Sequence, residues 1–443
     1  MLEHSLLGEP LLRVTLGPGL AVTPLSLPQV LARLSAGEAL GFSALRPHQQ
    51  APWHAFLVQL AYLALDLADD LRPPLTPNGW VDLLRGLTPG FEDDGPWCLI
   101  NAHWQAPAFL QSPCSAGRES DYRRSADAAQ DIDVLVTARH HDEKSGKLPL
   151  DDHALDTLVY ALVALQGWSA FLGAGNYNTM RMNGGFSSRP QFRLAYARGS
   201  GPEFLRDLHV LLDDRDRLAR RFREAYGADA TAEHRLLWLP VWDEGSLSLG
   251  EVHPYALEVC RRVRLVREQG CLRLRRAGSS AMRVAAKDQR GNVMDPWVPI
   301  MKGDAPKALT AQAHSLGYRK LQELIFDRAP GLFGAATWLA IRVGLSAVLV
   351  VGALLTAWQL QGAIASAALE RMALHVQRVV LGDAPAPAID APAVVKRAVV
   401  GLFPSVRRLT LWALSSLAAM TRRSAATPAS VRSLSILSGR SRA

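Results

Sequence analysis

The sequence predicts a mixed α+β fold in which strands and helices come in blocks, with no alternating βαβ pattern. Three observations point there. Short extended segments broken by Gly and Pro open the chain, long stretches of helical spacing follow, and strand-like alternation returns only beyond residue 270. The chain has 443 residues, 49% hydrophobic and 20% charged. That allows two or three domains around a substantial core, and excludes a disordered chain, a collagen-like chain and a multi-pass membrane protein.

In order, LLRVTLG and GLAVTPL within residues 1–24 read as the strands of a small sheet. From Leu27 to Leu71 the spacing is helical. LPQVLARLSAG carries Pro at an early helical position, and HAFLVQLAYLALDLADDL places apolar residues at i, i+3 and i+4. Residues 72–150 are rich in Pro, Gly and Asp and mix short helices with long loops. LDTLVYALVALQGWSAFLG (155–173) predicts a largely buried helix ending at glycine. A loop-rich stretch follows, then helices around 202–226, strands in CLRLRRAG and AMRVAAKD (271–288), and a helix over 313–326. No internal repeat is visible.

The formal net charge of +8 suggests an anionic partner, but the excess is confined to one end. Residues 334–443 hold 12 Lys/Arg and 3 Asp/Glu, whereas the first 333 residues hold 37 basic and 38 acidic side chains. Ala, Leu, Val, Ser and Arg dominate this tail, and Val343 to Leu369 carries no charge. VGLSAVLVVGALLTAW reads equally as a membrane span shortened by Gln359 and Gln361 or as a buried helix; a shift of reading frame is a third origin for so acid-poor a tail. The four cysteines form no C-x-x-C pair, so neither a disulfide framework nor a cysteine-rich zinc site is indicated. The N-terminus lacks a signal-peptide pattern, which makes the cytoplasm the expected location.

The most informative segment is Gly173-Ala-Gly-Asn-Tyr-Asn-Thr-Met-Arg-Met-Asn-Gly-Gly185, continuing to Arg189-Pro. Four glycines and three asparagines follow an apolar helix, giving a backbone that turns tightly and exposes its amides. Such a loop approaches a sugar-phosphate backbone closely. Asn176, Asn178 and Asn183 offer donors and acceptors, and Arg181 and Arg189 offer charge for phosphate. It is neither a P-loop nor a dinucleotide fingerprint, and the same composition suits a purely structural loop. A second segment, DIDVLVTARHHDEK, feeds a strand-like run into a tip with Arg139, His140, His141 and Lys144, suited to gripping RNA or to a solvated turn. In a third, Arg283, Lys287 and Arg290 are placed to line a nucleic-acid surface, followed by Lys302 and Lys307, while Trp297 suits core packing. No G-x-S-x-G elbow, H-E-x-x-H pair or kinase set is present, so no enzyme, metal site or cofactor is indicated.

Taken together, DVLVTARHHDEK, a following apolar helix and FLGAGNYNTMRMNGGFSSRP resemble the CasA family, the large subunit of the type I-E CRISPR Cascade surveillance complex. DPWVPIMKGDAPKALT and the N-terminal helical part extend the likeness more weakly, so that it covers residues 1 to about 330. The resemblance implies a non-catalytic recognition subunit with a large N-terminal domain (1–330) and a helical C-terminal region (331–443), in the family a four-helix bundle. It implies that Arg139, His140, His141 and Lys144 hold the 5′ handle of the CRISPR RNA. Gly173, Gly175, Asn176 and Asn178, with Arg181 and Lys287, would read the protospacer-adjacent motif of target double-stranded DNA from the minor groove. Implied partners are the CRISPR RNA, the target DNA, the other Cascade subunits and a helicase-nuclease recruited after R-loop formation.

Departures stand beside the match. The wedge glutamine of the family has no counterpart in the expected loop, the bundle is replaced by the acid-poor tail, and the cysteine-rich zinc element of some relatives is absent. Two other classes remain: a membrane-tethered α+β protein held near 343–360, and a metal-dependent nuclease using His140, His141 and Asp142.

Overall fold

The computed structural model describes residues 2–17, 20–126, 130–133, 154–184, 190–194, 199–301, 304–309 and 353–357. These lie within one compact unit, Met1–Ala384; a second unit, Pro385–Ala443, falls outside the described residues, as does the helix predicted over 313–326.

The architecture is α+β, with helices at the centre and small sheets around them. Strand β1 (Leu2–Ser5) pairs with β5 (Cys98–Asn101), and β2 (Leu12–Thr15) is central between β3 (Val22–Leu25) and β4 (Gly41–Phe42). Helix α1 (Leu27–Ser35) starts where Ser26 and Gln29 cap it, the Ser26 amide donating to Gln29 Oε1 at 2.8 Å, with Pro28 in the first turn. Helices α2 (Gln50–Ala68) and α5 (Leu155–Trp168) are apolar all round, which only full burial satisfies, and the two pack together. Around them lie α3 (Pro77–Gly86), the single turn α4 (Gln130–Asp133), α6 (Ser200–Asp213) and α7 (Arg215–Tyr226). Trp53, Trp80, Trp97, Trp238, Trp242 and Trp297 are fully buried in this core.

Beyond it, β8 (His234–Leu236) runs parallel to β9 (Val252–Leu257), and β10 (Arg262–Glu268) and β11 (Cys271–Ala277) form a hairpin that β6 (Arg124–Ala126) extends. The hairpin turns on Gln269-Gly270, both at positive φ (52° and 81°), as a type I′ turn demands. Val263, Leu265, Leu272, Leu274 and Ala126 share its core face. On the opposite face Arg262 and Arg264 are buried, Arg262 bonding the Gly278 carbonyl and Asp121, and Arg264 the carbonyls of Asn101 and His103. Short β12 (Ile300–Met301) and β13 (Lys307–Ala308) pair with each other.

The structure departs from the sequence reading in three places. The helix predicted to Gly173 ends at Trp168, where Ser169 turns extended (ψ 135°), and beyond it Arg261 holds the Ala170 carbonyl (2.7 Å). AMRVAAKD forms no strand beyond a single bridge from Val284 to Leu247. Its Arg283 turns inward to the carbonyls of Leu237, Pro240 and Val241, stacked over Trp242. Within the apolar run read as a span or a helix, Ala353–Ala357 is instead a strand, β14, paired antiparallel with β7 (Pro190–Leu194). Among the described residues no helix is long and apolar enough to cross a membrane.

Candidate nucleic-acid interface

The glycine-rich segment leaves α5 as two limbs of opposite character. The outer limb, Gly173–Tyr177, is half-buried, with Ala174 exposed. Its turn closes through the Asn176 amide on the Gly173 carbonyl (3.0 Å) and the Leu172 amide on the Asn176 carbonyl (2.9 Å). Gly173 and Gly175 hold φ of 96° and 83°, the left-handed region that a side chain resists. A Cβ on Gly173 would meet nothing within 4 Å, so open space lies over the turn; one on Gly175 would come within 3.4 Å of Gly278 Cα. There a second turn abuts the first, with the Ser279 amide donating to the Gly175 carbonyl (3.1 Å). The rim is therefore backbone and small side chains contributed by two distant parts of the chain.

The inner limb, Asn178–Met182, is buried. Asn178 donates its side-chain amide to the carbonyls of Thr179 (2.9 Å) and Met182 (3.3 Å), stapling its own loop. Arg181 donates to Glu258 Oε2 (2.7 Å) and to the carbonyls of Pro254 (2.9 Å) and Ala256 (2.7 Å), and pairs with Asp295 Oδ2 at 2.8 Å. The other Glu258 oxygen accepts the Met180 amide (2.6 Å). These contacts correct the expectation that Arg181 and Asn178 face a phosphate or a base: both side chains point inward. A buried guanidinium needs fixed acceptors and counter-charge, and here Glu258 and two carbonyls accept from it while Asp295 adds a second carboxylate at its Nε.

Further anchors come from residues that the loop's own sequence does not announce. Gln166 accepts the amides of Cys260 (3.0 Å) and Arg261 (2.9 Å) and donates to the carbonyls of Leu110 and Arg261. Arg261 in turn donates to the carbonyls of Ala170 and Tyr177. A glutamine in an apolar helix followed by a glycine-rich loop was the available signal; the register with 260–261 was not.

Arg283, expected at the surface, is buried instead, and burial pulls its guanidinium down to about 10. Lys287 and Arg290 are exposed in the turn after it, and Trp297 is buried with its indole donating to Gln59 (3.0 Å). That turn reaches the glycine loop: a Cβ on Gly291 would stand 2.7 Å from the Arg181 carbonyl oxygen.

Arg139, His140, His141, Asp142, Lys144, Arg189 and Lys302 lie outside the described residues. Both stems of the segment carrying the first five are nonetheless fixed. Asp133 accepts from Arg46 (2.8 and 2.9 Å) and Gln49 (2.7 Å) and lies 2.7 Å from His48, while Asp156 accepts two bonds from the Arg13 side chain (2.9 and 2.7 Å). Both carboxylates are fully buried. Among the described residues no group of three or more His, Cys, Asp or Glu is placed to hold a metal ion.

No family model and no curated protein matches the sequence. Solved structures that resemble this chain include CasA, also called Cse1, proteins. A CRISPR-associated protein from Thermus thermophilus shares 17% identity at a TM-score of 0.47, over 77% of this chain and 65% of that one. Cse1 from Acidimicrobium ferrooxidans shares 15% at a TM-score of 0.43, over 79% and 64%. A chain of a CRISPR RNA-guided surveillance complex shares 13% at 0.46, over 76% and 68%. The chain thus spans about 65% of the length of the Thermus thermophilus proteins it resembles.

Proposed function

We propose that this chain is a non-catalytic recognition subunit of a type I-E CRISPR surveillance complex, and that its outer glycine limb contacts target double-stranded DNA. The observation that carries the reading is the turn at Gly173–Asn176. Gly173 and Gly175 hold φ values that other residues resist, and over Gly173 nothing stands within 4 Å of where a Cβ would be, so its backbone is open to an approaching strand.

In this reading Gly173, Gly175 and Asn176 meet the minor groove of the protospacer-adjacent motif. Backbone amides and one asparagine there give a relaxed preference, since the groove distinguishes A·T from G·C and little else. Lys287 supplies charge to a phosphate from the neighbouring turn, while Asn178 and Arg181 act from within by holding the loop. Arg139, His140, His141 and Lys144 hold the 5′ handle of the CRISPR RNA on a segment whose two stems are clamped at Asp133 and Asp156. Starting the R-loop and recruiting the helicase-nuclease are the consequences of that binding.

The test is co-expression with the neighbouring subunits and a CRISPR RNA, followed by target-duplex binding with and without this chain. RNA-dependent copurification and duplex binding that requires the chain are expected. A chain that joins no ribonucleoprotein contradicts the reading.

A further inference from the structure

We infer that the buried triad Arg181–Glu258–Asp295 is a positioning device, locking the glycine loop and the Lys287–Gly291 turn into a single rigid surface. This rests on the nucleic-acid reading above and adds to it how the two segments act together. Arg181 sits on the inner limb of the loop, and Asp295, which pairs with its Nε at 2.8 Å, lies four residues beyond Gly291. Asp295 also accepts the Trp297 amide (2.7 Å), and the Trp297 indole is held by Gln59 of α2. The far side of the Lys287 turn is thereby fixed to the central helix.

The near side is fixed by contact. Gly291, at φ 80°, lies so close to the Arg181 backbone that a Cβ would stand 2.7 Å from its carbonyl oxygen and 2.6 Å from Ala308 Cβ. The Ala308 amide donates to the Arg290 carbonyl (2.8 Å) and closes the turn from behind. Glu258 adds a third point, holding both Arg181 and the Met180 amide. Three segments distant in sequence meet at one buried guanidinium. Rigidity of this kind lets a loop contact and a lysine contact form together, without a cost of ordering one after the other.

Arg181 and Asp295 are therefore positioning residues, and the consequence is non-additivity. The test uses the reconstituted ribonucleoprotein and a target duplex carrying its protospacer-adjacent motif, with Gly291→Ala and Asp295→Asn as the junction variants. Thermal unfolding and near-ultraviolet circular dichroism select variants that remain folded. Gly291→Ala keeps every charge and instead strains the backbone at φ 80° and pushes Arg181 and Ala308 away, so it probes the junction independently of Asp295→Asn.

In the native chain Lys287→Ala is expected to weaken duplex binding about three- to tenfold and to reduce the salt slope by about 1. Each folded junction variant should show the same loss and the same reduced slope, and Lys287→Ala added to it should cost less than about twofold more. A role in stability alone leaves the slope unchanged and Lys287→Ala fully additive, which overturns the positioning proposal. If Asn176→Ala and Lys287→Ala are both neutral in the native chain, the nucleic-acid reading itself fails, and the proposal with it.

Discussion

The outer and inner limbs of the glycine loop are consecutive in sequence and opposite in fate. Residues 173–177 are Gly, Ala, Gly, Asn and Tyr, whereas 178–182 carry Arg181 and two methionines, and the first limb is half-buried while the second is core. Burial is decided by what stands opposite. Glu258 and Asp295 await the inner limb and take its arginine, whereas the outer limb is held through its backbone, by Ser279 at Gly175 and by Arg261 at Tyr177, with open space over Gly173. An arginine near a glycine loop is thus read as a phosphate contact only after its carboxylate partners have been sought elsewhere in the chain.

The sharpest way to break this contrast is to truncate on the inner side. Arg181→Ala leaves Glu258 and Asp295 buried without their cation, and should cost about 3–5 kcal/mol of stability, seen as a large fall in unfolding temperature or loss of soluble protein. A melting temperature near that of the native chain would mean that the inner limb is not core. Next come the two carboxylates, Asp133 and Asp156, that flank residues 134–153. Asp156→Asn removes a buried charge from the Arg13 side chain and is expected to cost about 1.5–3 kcal/mol in chemical denaturation, with weaker retention of the RNA-bearing complex.

Acid sharpens the comparison for another buried group. Burial pushes the His253 imidazole down to about 3, against the attraction of Asp66. The unfolded chain therefore takes up its proton first as pH falls below about 6.5, and stability should decline from there toward pH 4 by up to about 1.4 kcal/mol per unit. Asp207 adds nothing in that window: despite burial, Arg206 and His54 hold it at about 2, so its contribution is lost only below the ordinary aspartate range. His253→Asn should flatten the decline; an unchanged pH profile would sink the assignment. The smallest stability effect belongs to the outer limb, where Asn176→Ala should alter stability by less than about 0.5 kcal/mol while weakening duplex binding.

Much of the fold was legible. Apolar residues at i, i+3 and i+4 marked α2, a nearly unbroken apolar run marked α5 as a buried helix, and Pro28 marked the start of α1. The misreadings share a feature. Just past the end of α5 Arg261 bonds the Ala170 carbonyl, and in AMRVAAKD Arg283 turns to three carbonyls and Trp242. Local pattern carries no record of a distant arginine.

The candidate site was legible in the same uneven way. Glycines at positive φ were foreseeable from the run itself, and Trp297 packs as its setting suggested. The inward turn of Asn178, Arg181 and Arg283 was not, because it depends on Glu258, Asp295 and the carbonyls of Leu237, Pro240 and Val241. The abutment of Gly175 on Gly278 has no local signature either.

The most direct measurement is target-duplex binding by a complex reconstituted with Gly173→Val. The substitution strains a turn at φ 96° by about 1–2 kcal/mol and places branched carbons in the space over the loop, where no neighbour stands within 4 Å. Assembly with the RNA-bearing complex should be unchanged and duplex affinity should fall at least about tenfold. Affinity within about twofold of the native complex, with the variant fully assembled, would show that the loop is structural and contradict the account.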